Sequence, residues 1–255
     1  MKSVARQILV VVSLFATLTV NALANILPFN NLSTGEISDS FPVRFVPAGY
    51  VFAIWGVIYL SLLVYAVYQA LPAQRNNPKL NTIGWLFVLS NVFNSIWIFT
   101  WHYLQFWATQ IMMLGLLVSL IAIYLQLGTG RTPAANAGEK WLVRLPFSIY
   151  LAWGSVATIA NTTILLYDLG WNGQPLSPDI WAAVMLVVGA ALTGIIIYTR
   201  NDVAFVGVIV WAYIGIVVAQ GAFPLVAGTA GVLTLVVVAA LIANLIRQRQ
   251  TLSPA

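Results

Sequence analysis

The sequence predicts an all-α fold, a polytopic membrane bundle of about eight transmembrane helices. Three observations carry that reading: long unbroken apolar runs, very few charges, and basic residues confined to alternate gaps. Mean hydropathy is +0.92 and only 7% of residues are charged, whereas about a quarter are charged in a soluble domain. A spanning helix needs about 20 apolar residues to cross about 30 Å of hydrocarbon. Eight such runs lie at roughly 7–26, 48–72, 81–103, 106–127, 142–167, 179–199, 203–220 and 225–246 of the 255 residues. They leave no room for a sizeable soluble domain. Strands of a membrane barrel would read instead as alternating segments of about ten residues.

Threading the chain through the bilayer with the N-terminus in the cytoplasm places ten of the eleven Lys and Arg residues inside: Lys2, Arg6, Arg75, Lys79, Arg131, Lys140, Arg144, Arg200, Arg247 and Arg249. Only Arg44 lies outside, together with Glu36, Asp39, Asp168 and Asp179. Basic loops resist translocation, so this bias is the one expected when both termini are cytoplasmic. The expected location is a plasma membrane, of bacterial type.

The net charge of +5 is spread over short loops, where it sets topology and meets anionic lipid. No basic face interleaved with aromatics exists, so nucleic acid is not an expected partner. The absence of cysteine excludes disulfides, zinc–thiolate and iron–sulfur sites and thiol catalysis. The first run, with Lys2 and Arg6 before it and Ala22-Leu23-Ala24 near its end, also reads as a signal segment. Its length and the flanking Asn21 and Asn25 favour a retained first helix; cleavage would leave seven spans in the same orientation.

The outer loop at 27–47, with Pro28, Pro42 and Pro47, is long enough to cap the outer mouth of the bundle or to serve as a plain connector. The inner loop at 128–140 reads as flexible and polar, with Gly128, Gly130, Pro133 and Gly138. Its Gly-Thr-Gly-Arg lacks the spacing of a phosphate loop. The outer loop at 168–178 divides the chain into residues 1–175, rich in Trp, Tyr and Asn, and residues 176–255, mostly Val, Ala, Leu and Gly. Gly189, Gly194, Gly207 and Gly215 would let the later helices approach closely. No internal repeat of the kind used by secondary transporters is present.

No Asp, Glu, Lys, Arg or His sits near the middle of a span. A charge there costs at least about 2.5–3.5 kcal/mol and marks ion pathways, so a proton-coupled pump is not expected. The polar signal at depth is neutral. The third span carries Asn91, Asn94 and Trp97; the fifth carries Tyr150, Trp153, Ala157 and Asn161. Trp153 and Asn161 lie two turns apart on one side, with the small Ala157 between them. Such amides must turn away from lipid, either as glue between helices or as the polar marks of a pocket for a flat aromatic ligand. Trp101, Tyr103, Trp107, Trp141 and Trp171 lie at span ends, where aromatic belts collect. His102, the only histidine, falls in the same belt and excludes bis-histidine haem ligation within one chain.

At these residues the chain resembles the tryptophan-rich sensory protein or translocator-protein family, the TspO/MBR group. Pro47-Ala48-Gly49-Tyr50-Val51-Phe52 followed by Trp55 and Tyr59 is similar to the family's Pro-Pro-Gly-Trp-x-Phe opening of the second helix. Asn94-x-x-Trp97 with Phe99, and Tyr150-Leu151-Ala152-Trp153 with Ala157 and Asn161, match its third and fifth helices. The likeness covers residues 7–170, so 1–175 reads as a TspO-like five-helix domain and 176–255 as a three-helix extension. Phe52 and Trp55 stand one residue closer than in the family, and Asp168 follows Tyr167 where a sterol motif wants a basic residue.

The resemblance implies an integral membrane receptor or sensor for a porphyrin or haem-like ligand, held without covalent attachment, which it binds or moves across or within the membrane. Its pocket would use Trp55, Tyr59, Asn94, Trp97, Trp153, Ala157 and Asn161: tryptophans against the ring, Asn94 and Asn161 donating hydrogen bonds, Ala157 giving clearance. No metal-binding or catalytic residue is implied. The bilayer and a hydrophobic small molecule are the expected partners. An uncoupled permease for a small apolar solute is the alternative. Another is an interaction subunit whose C-terminal helices pair with a partner, including a second copy in a homodimer. No nucleophile–base pair at membrane depth supports an enzyme. The cysteine-free sequence makes topology directly testable: single-cysteine variants Ser40→Cys and Asn76→Cys should react with an impermeant maleimide from opposite sides of the membrane.

Overall fold

A computed structural model describes residues 2–27, 29–171 and 174–252; Pro28 and Gly173 of the predicted loops lie outside the described residues. Helices occupy Lys2–Ile26 (α1), Thr34–Asp39 (α2), Ile54–Ala70 (α3), Pro78–His102 (α4), Phe106–Leu127 (α5), Leu145–Asp168 (α6), Pro178–Arg200 (α7), Val203–Ala219 (α8) and Pro224–Leu252 (α9). A 3₁₀ turn at Gly49–Ala53 leads into α3, and a π-helical segment at Glu139–Arg144 leads into α6. No strand occurs among the described residues. The expected helical bundle is therefore present.

Local chemistry sets the boundaries. Asn77 accepts from the backbone of Lys79 and Leu80 and is followed by Pro78, a pairing that starts a helix without an orphan donor. Gly128 ends α5 in the left-handed conformation. The α7–α8 turn is compressed: Asn201, also left-handed, caps α7, and the next residue, Asp202, caps α8. Ser33 and Glu36 form a capping box on α2. Hydrogen bonds from Ser33, its backbone N–H first, hold the Glu36 carboxyl below its ordinary range, so this cap weakens as acid protonates Glu36.

Among the described residues, seven helical stretches are long and apolar enough to cross a membrane. The seventh predicted run is shorter, because α8 has 17 residues and spans about 26 Å at 1.5 Å per residue. It is packed among α6, α7 and α9 and buries Phe205, Ile209, Ala212, Tyr213 and Ile216.

α1 is built into the bundle by its polar residues as well as by Val10 and Leu14. Arg6 bonds Asn81, Gln7 bonds the carbonyls of Gln69 and Leu71, and Thr17 bonds Asn91 O. The 128–138 connection is not the flexible loop expected. The Arg144 guanidinium donates to the carbonyls of Thr132 and Pro133 and to Glu139, which Lys79 also holds at 2.7 Å. A buried guanidinium needs several acceptors, and the loop's carbonyls supply them.

The later helices brace the earlier ones. The Ala48 N–H donates to Gly215 O at 3.0 Å, the Trp211 indole to Val51 O at 3.2 Å, and the Gln220 amide to Val46 O at 3.2 Å. Of the four glycines expected at close approaches, Gly189 lies against the Tyr213 hydroxyl and Gly215 against Val51 and Pro47, while Gly194 and Gly207 face open space. A Cβ on Gly215 would meet Val51 Cγ2 at 2.1 Å. Gly215→Ala should therefore cost about 1–3 kcal/mol through overpacking, seen as a lower Tm in detergent, whereas Gly207→Ala should leave Tm unchanged or higher.

Candidate functional site

The site begins with the backbone at the head of α3. A 3₁₀ turn has about three residues per turn, so residues three apart stand one above the other. Phe52 lies in that turn and Trp55 three residues on in the first turn of α3, and both border the same spaces.

Trp55 is the hub of an aromatic wall. It stacks on Tyr59 with centroids 5.3 Å apart, lies 6.2 Å from Trp97, and meets Tyr150 and Trp153 edge-on at 6.1 and 6.2 Å. Phe52 meets Trp153 edge-on at 5.9 Å, and Trp97 stacks on Trp101 at 5.9 Å. Offset and edge-to-face pairs of this kind each contribute about 0.5–1.5 kcal/mol beyond their buried area.

Two spaces adjoin the wall. A narrow one of about 40 Å³ lies between α3, α4 and α6 and touches Trp153, Ala157 and Asn161, with room for little more than water. A cleft of about 570 Å³ lies between α1, α2, α3 and α4, inside the range of about 300–1,000 Å³ typical of ligand pockets. Thr34, Phe52, Trp55 and Trp97 border both; Tyr59 borders the cleft. Asn21, Asn25 and Asp39 give the cleft its polar edge, and Ala22 and Gly56, on opposite walls, are exposed.

Of the seven predicted residues, six border one space or the other. Asn94 borders neither. It is fully buried, accepts from the Asn21 amide at 2.8 Å and donates to the Tyr150 hydroxyl at 3.0 Å. Asn91 likewise bonds Ser13. For these two amides the glue reading holds, because α1 presents polar partners at the same depth. Asn161 does reach the narrow space, but its carbonyl accepts from the Trp97 indole at 3.2 Å and its amide donates to Ala157 O. It positions Trp97. The Trp153 indole N–H is buried without a partner among the described residues.

Two belt assignments change. Trp101 is 3% exposed and stands in the wall, because it follows Trp97 by one turn on the same face; Tyr103, Trp107 and Trp141 are more than half exposed, as a belt requires. His102 is fully buried and fastens the 29–39 segment: its ring nitrogens lie 3.0 Å from Thr34 Oγ1 and 3.3 Å from Phe29 O. The Trp101 indole donates to Thr34 O. The 29–47 segment thus lies over both spaces through Thr34, and Ser38 and Val46 close the narrow one.

No group of three or more potential metal-ligating residues occurs among the described residues. A family model described as TSPO-like protein matches residues 7–243, running well past the fifth span. No curated protein and no solved structure matches the chain. Because Asn94 links α1, α4 and α6, Asn94→Leu should lower stability by about 1–3 kcal/mol by orphaning Asn21 and Tyr150, measured by thermal unfolding in detergent.

Proposed function

The chain belongs to the TSPO-like family, and we propose that it is a membrane-embedded receptor for a flat hydrophobic ring of tetrapyrrole type, held in the cleft between α1 and α3. The observation that carries this is the wall of Phe52, Trp55, Tyr59 and Trp97 along a space of ligand size. The ring stacks on the Trp55–Trp97 face. Trp153, Ala157 and Asn161 stand behind that face, Asn161 holding the Trp97 indole in place. The protein supplies shape and stacking to the ring.

The cleft lining includes Asp39 and no Lys or Arg among the described residues. Carboxylate substituents would therefore project out of the mouth, away from Asp39. A ring with a neutral or cationic edge suits the lining better.

Beneath the wall, Tyr65, Phe87 and Phe147 pack edge-to-face with centroids 4.9–5.6 Å apart. All three are fully buried, and they fill the bundle between the cleft and its basic end. That packing favours a receptor over an uncoupled permease, which needs a path through the same region.

The test is a titration of purified protein in detergent with protoporphyrin IX and with its dimethyl ester, following tryptophan quenching. The wild type should saturate, and the ester should bind at least as tightly as the free acid. Trp55→Ala should weaken binding more than tenfold, a loss of over about 1.4 kcal/mol. Trp153→Ala/Asn161→Leu should weaken it less, because it disturbs the wall from behind. Equal, unsaturable quenching in all three proteins would remove the reading, and ligand-driven flux in liposomes would replace it with a permease.

A further inference from the structure

At the opposite, basic end of the bundle lies a second cavity of about 620 Å³, bounded by the 128–138 connection, the head of α6 and the α7–α8 turn. Arg200, the last residue of α7, is 7% exposed and lines it. Its Nη1 donates to Thr129 O at 3.3 Å, and its guanidinium lies 5.6 Å from the centre of the Tyr124 ring. The ion pairs among the described residues are Arg44–Asp179, Lys79–Glu139 and Arg144–Glu139, so Arg200 has no carboxylate partner there. A cation buried without a carboxylate partner has given up hydration that a bound anion would offset.

A second observation is independent of the first. Thr129, 8% exposed, lines the same cavity, and its hydroxyl is buried with no partner among the described residues. Gly130 (φ +73°) keeps the Thr129 backbone beside Arg200. Its missing Cβ would lie 1.7 Å from Arg200 O, so a side chain there would drive the connection off the α7–α8 turn. Lys140 stands exposed at the rim, its Nζ 4.9 Å from the Trp141 ring.

The remaining charges are already committed. Asp202, also in the wall, accepts from the Tyr124 hydroxyl at 2.9 Å, the Ser148 hydroxyl at 2.6 Å, and the backbone N–H groups of Ala204 and Phe205. Its lone pairs are occupied inwardly. Arg144 is taken up by Glu139 and the loop carbonyls. What the wall offers without a carboxylate partner is the Arg200 guanidinium, with the exposed Lys140 ammonium at the rim and the unpartnered Thr129 hydroxyl buried just behind the lining.

We propose that this cavity binds a phosphate-bearing anion. A phosphate presents several oxygens to donors arriving from different sides, and the guanidinium fork matches two of them. The cavity lies at helix ends beside the exposed Trp141, where phospholipid headgroups sit, so the phosphate belongs either to an anionic lipid or to a soluble phosphoester. The site is separate from the aromatic cleft and does not depend on what that cleft binds.

Native mass spectrometry of the full chain, purified and then exchanged into mixed phosphatidylglycerol and phosphatidylcholine, counts retained lipid. A parallel thermal-shift titration uses inorganic phosphate and glycerol phosphate in lipid-free detergent. Preferential retention of phosphatidylglycerol, with no effect of the soluble phosphates, assigns the lipid headgroup; stabilisation by the soluble phosphates assigns a soluble phosphoester. Thr129→Val is the decisive variant, since it removes an otherwise unpartnered hydroxyl and should leave the Tm of the unliganded protein unchanged or higher. It should weaken the anion several-fold, as should Lys140→Gln at the exposed rim. Arg200→Gln should abolish the effect if it folds. No anion preference in either assay, or unchanged binding in both Thr129→Val and Lys140→Gln, overturns the proposal.

Discussion

The bundle depends on a hydrogen-bond relay that crosses three helices at membrane depth: the Asn21 amide on α1 to the Asn94 carbonyl on α4, and the Asn94 amide to the Tyr150 hydroxyl on α6. Lipid supplies no partner for a polar group, so these three side chains must find one another, and doing so sets the rotation of each helix. Once Asn94 is turned inward toward Asn21 and Tyr150, the next turn of α4 aims Trp97 at Trp55 and Asn161. The turn after that aims Trp101 at Thr34 on α2. The aromatic wall is a consequence of where the amides are satisfied.

The long helices were legible because apolar runs, glycines, prolines and capping residues report backbone geometry locally. α8 matches its apolar run at 203–220 to within one residue, because Asp202 caps it at one end and Gln220 ends it at the other. Azimuth was less legible than depth. Trp101 sits at the end of a span, which is what an aromatic belt predicts, yet its spacing of four from Trp97 carried the correct signal. Asn94 could not be resolved from the sequence, because an amide facing a ligand and an amide facing another helix have the same sequence signature. The partner that decides it lies 73 residues away. The 128–138 connection misled for a related reason: glycine and proline report local freedom, and the restraint comes from Arg144, beyond the loop itself.

The last three helices are not appended to a finished bundle. Gly215 O receives the Ala48 N–H, and Trp211 and Gln220 bond the backbone on either side of it. Those contacts fall on the 46–51 segment, the stretch that leads into Phe52 and Trp55. The wall facing the cleft is thus buttressed from a part of the chain that contributes no residue to the cleft.

The exposure of Ala22 and Gly56 on opposite walls of the cleft has a thermodynamic meaning of its own. Both residues belong to stretches long and apolar enough to cross a membrane, so a mouth between them at that depth would meet acyl chains rather than water. A hydrophobic solute would reach it by two-dimensional diffusion after partitioning, and occupancy would follow the solute's mole fraction in the bilayer. Apparent affinity expressed per litre of water would then scale with the amount of lipid or detergent in the sample. Two laboratories with identical protein and different micelle concentrations would report different dissociation constants for the same equilibrium.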